Sequence, residues 1–192
     1  MSGQVAAIIT ELESASTRLR ELRATLPRHA WSERPGPGRW SPAECVAHLN
    51  LSSAAMLPCL REALDAARAC SIPVRSRYRV DAMGWLLGKL VSPGSPLKLV
   101  APTAFAPDDC ETVDCLVDRF EALQAALIAV AREADGLPID AVSVISPFDG
   151  RVKTNLFAAL TLVPRHQHRH LLQAARAAGH AVAAPAASFA PA

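Results

Sequence analysis

Paired cysteine motifs are missing from this chain. The five residues Cys45, Cys59, Cys70, Cys110 and Cys115 are odd in number, and none shows C-x-x-C spacing. That pattern argues against a disulfide framework or a cysteine-built zinc ribbon; it fits reduced thiols in a cytoplasm, each packing as a small apolar core residue. An excess of one charge is also missing. A formal net charge of +2 offers no basic field to a polyanion, so no nucleic acid partner is expected. Long hydrophobic runs are absent too: residues 82–91 are too few to cross a bilayer and include Lys89, so no membrane partner is expected. The start Met1-Ser2-Gly3-Gln4 is not basic and acids interrupt the apolar residues beyond it, so a secretory signal is not expected.

What remains is the composition of a globular domain, 51% apolar and 20% charged over 192 residues, enough for one filled core. A single domain over residues 1–180 is expected, with residues 181–192 an Ala- and Pro-rich tail expected to be disordered. Ile8, Leu12, Ala15, Leu19 and Leu22 recur at helical spacing and predict a first helix over 2–26, ended by Pro27 and Pro35-Gly36-Pro37-Gly38. Ser41, Pro42 and Glu44 read as N-cap, first helical residue and reciprocal capping partner, with Trp40 stapling against Cys45. The second helix then runs over about 42–68, and Pro58 should bend it.

A proline-punctuated connection spans 70–107, with a short helix near 81–90. Asp108 and Glu111 supply the next capping signal, and Val113, Leu116, Phe120, Leu123, Leu127 and Val130 mark a third long helix ending near Gly136. After a second connection, 138–150, the last helix covers about 154–178, kinked before Pro164, with Ala159, Val163, His166, His170, Gln173 and Ala177 on one inward stripe. The expected fold is all-α, a four-helix bundle with a long crossover connection between helices 2 and 3. That connection should cover the end of the bundle that bears the candidate site, burying Met83, Trp85, Leu86, Leu87 and Leu90.

His166 and His170 are one turn apart, so both imidazoles reach one side of the helix. Two nitrogens are too few for a tight divalent site, and a third ligand must come from elsewhere. His48 lies one turn after Glu44 and Cys45, and Ser52 and Ala55 continue its face as small residues that leave room around it. The runs Trp40-Ser41-Pro42-Ala43-Glu44-Cys45-Val46-Ala47-His48-Leu49 and His166-Gln167-His168-Arg169-His170-Leu171-Leu172-Gln173 resemble the two signatures of the DinB-like (YfiT/DinB) superfamily. The segments Ala101-Pro102, Ser146-Pro147-Phe148 and Lys153 fit it as well. The resemblance implies a four-helix bundle in which His48, His166 and His170 bind a divalent metal.

Of the other histidines, His168 points about 200° away from His166, and His29 and His180 lie near helix ends; all three are expected to be solvated. Glu44 is explained by the capping box, and its distance of one turn also allows it to orient His48. Gln173 either orients a water or substrate or is a buried amide. Arg75, Arg77 and Arg79 either draw a carboxylate towards the site or keep the connection soluble.

Three neutral imidazoles leave an ion its charge and an open position, which suits activation of a water or a thiol. Peptide hydrolysis of the H-E-x-x-H type is disfavoured because Gln167 stands where the glutamate belongs, and di-iron chemistry because paired E-x-x-H helices are missing. The resemblance implies a metal-dependent transferase using a low-molecular-weight thiol, since relatives include such enzymes and a thiol-dependent maleylpyruvate isomerase. Zinc or nickel leads among the metals, with iron and manganese also accepting imidazole. The alternatives are a non-enzymatic metal-binding or oligomerising bundle, and a metal-dependent hydrolase of a small molecule. A small-molecule substrate is the expected partner, and a homodimer is compatible with the reading.

Overall fold

The computed structural model describes residues 1–93, 95, 105 and 112–179. The expected tail, His180, and the capping residues Asp108 and Glu111 lie outside the described residues. Helix α1, Gly3–Thr25, starts at a Ser2 side chain that accepts from the Val5 amide. A single 3-10 turn, Arg28–Trp31, comes next. Helix α2, Pro42–Ala69, opens with the full capping box between Ser41 and Glu44 and continues through Pro58. Helix α3, Ala82–Leu90, is capped by Asp81, whose carboxylate accepts from the Gly84 amide. Helix α4, Val113–Glu133, takes Thr112 as its N-cap, so the cap falls after the two acids that the sequence suggested. Helix α5, Leu156–Ala177, is capped by Asn155 and contains Pro164.

The start expected for α5 is corrected by two short strands. β1, Ser143–Ile145, pairs antiparallel with β2, Lys153–Asn155, with Val144 opposite Thr154. These opposed β-branched residues are buried and favour an extended backbone over a helical turn. Residue 154 therefore lies inside the second strand, and the helix begins at Leu156, after the Asn155 cap.

The four long helices close a ring in which α2 touches α4 and α5, and α1 touches the same two. Two apolar clusters fill it. One joins Ile8, Leu64, Leu127 and Leu156; the other joins Leu19, Leu49, Phe120 and Leu171. Each cluster takes the early half of α1 and α5 with the late half of α2 and α4, or the reverse, so α1 and α5 run one way and α2 and α4 the other. Because α2 and α4 are parallel, the chain between them must travel the length of the bundle. That requirement explains the long crossover.

Between the clusters lies a polar layer containing Ser16 of α1, Asn50, Ser52 and Ser53 of α2, Gln124 of α4, and Gln167 and His168 of α5. Its amides are bonded across the bundle: Gln167 Nε2 donates to Gln124 Oε1 at 2.6 Å, and Gln124 Nε2 to the Leu12 carbonyl at 2.7 Å. Polar contacts of this kind fix the rotation of α5 about its axis more tightly than apolar packing does. Among the described residues, no helix is long and apolar enough to cross a membrane.

α3 docks on α5 through glycine. Gly84 and Gly88 are buried, and a Cβ at these positions would meet the Ala158 and Arg165 side chains. The apolar residues of α3 are not covered as expected: Met83, Trp85 and Leu86 are exposed, while Leu87 and Leu90 are partly buried. Close approach of the two backbones puts the small residues inward, and the large ones are left on the opposite face.

Candidate metal centre

Helical phase and the polar layer together aim three imidazoles at one point. His48 comes from the second turn of α2, and His166 and His170 come from adjacent turns of α5. One ring nitrogen from each lies within 4.8 Å of the others. Ring centroids are 5.2 Å apart for His48 and His166, 4.6 Å for His48 and His170, and 4.6 Å for His166 and His170.

His48 Nδ1 lies 2.8 Å from the Phe105 carbonyl. A carbonyl oxygen only accepts, so Nδ1 carries the proton and Nε2 presents a lone pair to the cluster. That nitrogen is 3.3 Å from His166 Nε2 and 3.5 Å from Ser52 Oγ. Nitrogens bound tetrahedrally at zinc-like distances lie about 3.3–3.4 Å apart. The observed pair therefore already has the spacing of two ligands. His170 keeps a buried Nδ1 with no hydrogen-bond partner.

The rings are held neutral. Burial pushes the His166 pKa down to about 3, helped by the nearby His48 and Arg169 charges. Burial also pushes His170 well below the ordinary imidazole range, with His166, His48 and Arg169 adding to it and the Gln173 hydrogen bond opposing it. His48 is lowered by burial, partly offset by its bond to Phe105. Neutral imidazole is the form that ligates a cation. No carboxylate or thiolate joins the three among the described residues. Cys45, one turn before His48, is buried in the apolar core, and burial pushes its thiol pKa far up, so it stays protonated.

Residues that the sequence did not assign to the site complete the surroundings. Trp40 lies over the cluster, its ring centroid 4.9 Å from that of His48 and 5.8 Å from that of His170, while also packing on the apolar cluster that contains Cys45. The position just before a capping box was the available signal; only the histidine side of its contact was missed. Phe105 brings its ring to 4.7 Å from Phe148, joining the two connections above the site. Arg169, adjacent to His170, donates from Nη1 to the carbonyls of Leu90 and Ser92 and ties α5 to the end of α3.

The remaining expected residues fall in different places. Glu44 accepts from the Ser41 amide at 2.7 Å and from Arg34 Nε at 2.9 Å, and it borders a cleft of about 200 Å³ lined by Trp31, Ala47 and Thr112. Arg75 lies 3.6 Å from Asp140, and the Arg79 carbonyl accepts from Asn155 Nδ2. Asn155 precedes His166 by eleven residues, about 16 Å along the helix, so these arginines sit at the far end of α5.

His168 is corrected outright. It is 3% exposed rather than solvated, and its Nε2 lies 3.0 Å from Glu11 Oε2 and 3.2 Å from the Glu11 carbonyl. Its 200° offset from His166 does point it away from the cluster, but that direction is the interior of the bundle towards α1. The most buried stripe of α5 runs through Pro164, Gln167, His168, Leu171 and Ala175, whereas His166, His170 and Gln173 are partly exposed. The histidine stripe therefore lines a recess at the edge of the core.

No match to the chain was found among curated proteins or among solved structures. A family model described as the DinB superfamily matches residues 11–174, which include both histidine runs, the whole of α2 and α4 and most of α1 and α5, and the chain belongs to that superfamily.

Proposed function

We propose that His48, His166 and His170 hold a divalent metal ion and that the protein is a metal-dependent transferase acting with a low-molecular-weight thiol. The observation that carries this reading is the convergence of three neutral imidazoles, one with its tautomer set by a backbone carbonyl, with no fourth protein ligand among the described residues. Such an ion supplies Lewis acidity, favouring the thiolate form of a thiol that reaches its open position. Zinc or nickel suits this donor set best, and iron or manganese are the other candidates.

The chain's own groups have distinct parts. Phe105 orients His48 by accepting from Nδ1. Trp40 shields one side of the cluster from water. Ser52 Oγ is a polar contact beside His48 Nε2. Gln167 cannot act as a general base, since a carboxamide has no site basic enough to take a proton, and no carboxylate joins the three histidines among the described residues. This favours thiol transfer over small-molecule hydrolysis driven by a neighbouring carboxylate.

The test is metal analysis of untagged protein, followed by a screen for conjugation of small thiols to electrophiles. The reading requires close to one ion per chain and turnover that is lost in His48→Ala, His166→Ala and His170→Ala. A tightly bound ion with no exchangeable position, and no conjugation with any thiol, would favour a structural or sensing bundle.

A further inference from the structure

Eight large apolar side chains are strongly exposed among the described residues, and six of them, Ile72, Val74, Val80, Met83, Trp85 and Leu86, lie in one stretch of fifteen residues. They are 36–53% exposed. The same stretch and the rest of α3 carry Arg75, Arg77, Arg79 and Lys89, all with exposed side chains, against a single acid, Asp81. That acid is consumed internally: it accepts from the Gly84 amide and from the Asn155 amide at 3.0 Å. Arg75 is shared with Asp140, while Arg77 and Arg79 make no ion pair among the described residues.

α3 turns Gly84 and Gly88 to the bundle and Met83, Trp85, Leu86 and Lys89 to the outside. Lys89 Nζ sits 4.0 Å from the Trp85 ring centroid. Apolar and aromatic side chains on one helix face, interleaved and flanked by cations, match the boundary between lipid headgroups and acyl chains. Free inorganic phosphate would satisfy the arginines and leave the apolar residues in water. A second copy meeting this face about a two-fold axis would oppose cations to cations.

We propose that residues 72–89 form a peripheral docking surface for an anionic lipid bilayer. Met83, Trp85 and Leu86 enter the headgroup boundary, and Arg77 and Arg79 meet lipid phosphates. This contact lies on the surface, needs no spanning helix and is independent of the metal centre.

The full chain is mixed with sedimentable vesicles of phosphatidylcholine, with or without phosphatidylserine, while tryptophan emission is recorded. Binding should require phosphatidylserine, weaken with added salt, and shift emission to the blue; Trp85→Phe should remove the shift. Arg77→Ser with Arg79→Ser should lower partitioning about fivefold per arginine, about 25-fold together. Trp85→Ser with Leu86→Ser should abolish it, and both pairs should keep the parent's circular dichroism. Failure to bind anionic vesicles overturns the proposal, as does binding unaffected by these variants. A dimer in solution that Trp85→Ser with Leu86→Ser dissociates would also overturn it, because a second copy would then occupy this face.

Discussion

Replacing His168 by alanine separates the two roles that histidine plays in α5. At neutral pH the buried His168 ring is neutral, since burial lowers its pKa more than Glu11 raises it. Its Nε2–H therefore donates to Glu11, and His168→Ala removes a buried bond to a charged acceptor and opens a cavity in the polar layer. Losses of this type cost about 3 kcal/mol. For a domain of this size that lowers Tm by roughly 6–12 °C. Metal content should be unchanged, because the ring points to α1 and away from the other three. His166→Ala and His170→Ala should invert the pattern: metal is lost, while the chelator-treated proteins melt close to the parent. The assay is thermal denaturation in chelator, paired with metal analysis of protein purified without an affinity tag. If His168→Ala lost metal as fully as His170→Ala and melted like the parent, the assignment of faces on α5 would be wrong.

Zinc at a hundred times its Kd should stabilise the parent by about 2.7 kcal/mol, seen as a rise in Tm that chelator reverses and that His48→Ala does not show. Gly84→Val should lift α3 from Ala158 and displace the Asp81 carboxylate that caps it, costing about 1–3 kcal/mol; unchanged hydrogen exchange over residues 82–90 would refute the glycine-mediated docking. Burial tends to raise the Glu44 pKa, but its bonds to Arg34 and Ser41 outweigh this and hold it below 4.5. Its stabilisation is thus present above that value and disappears as pH falls through the lowered one. Glu44→Gln should cost about 1 kcal/mol in neutral solution, by urea midpoint, and should flatten the acid limb of stability; an unchanged limb would count against the capping pair.

The parts of this protein that could be read from its sequence are those set by local geometry. A capping box needs four consecutive residues, and Ser41 to Glu44 form it as their order implies. The i, i+4 spacing of His166 and His170 survives any packing, because the helix itself imposes it. The partner of His168 was hidden because Glu11 lies 157 residues away, and an offset around one helix does not say whether solvent or another helix lies there. The two readings of the arginines stayed open in the sequence for a similar reason: Arg75 and Arg79 come after α2, and α2 carries the chain a full bundle length from His48 before they occur. The hairpin was missed because Thr154 and Asn155 fit a helix start as well as a strand end, and pairing with Val144 decides between them.

The bond from His48 to Phe105 is made by the peptide oxygen, and every residue type has one. Exchanging the side chain at 105 changes the contact with Phe148 but leaves the acceptor in place. A deletion or insertion nearby would instead shift the oxygen itself and release the proton on Nδ1. The side chain at 105 can therefore be exchanged without retuning His48, provided that the chain around it keeps its length.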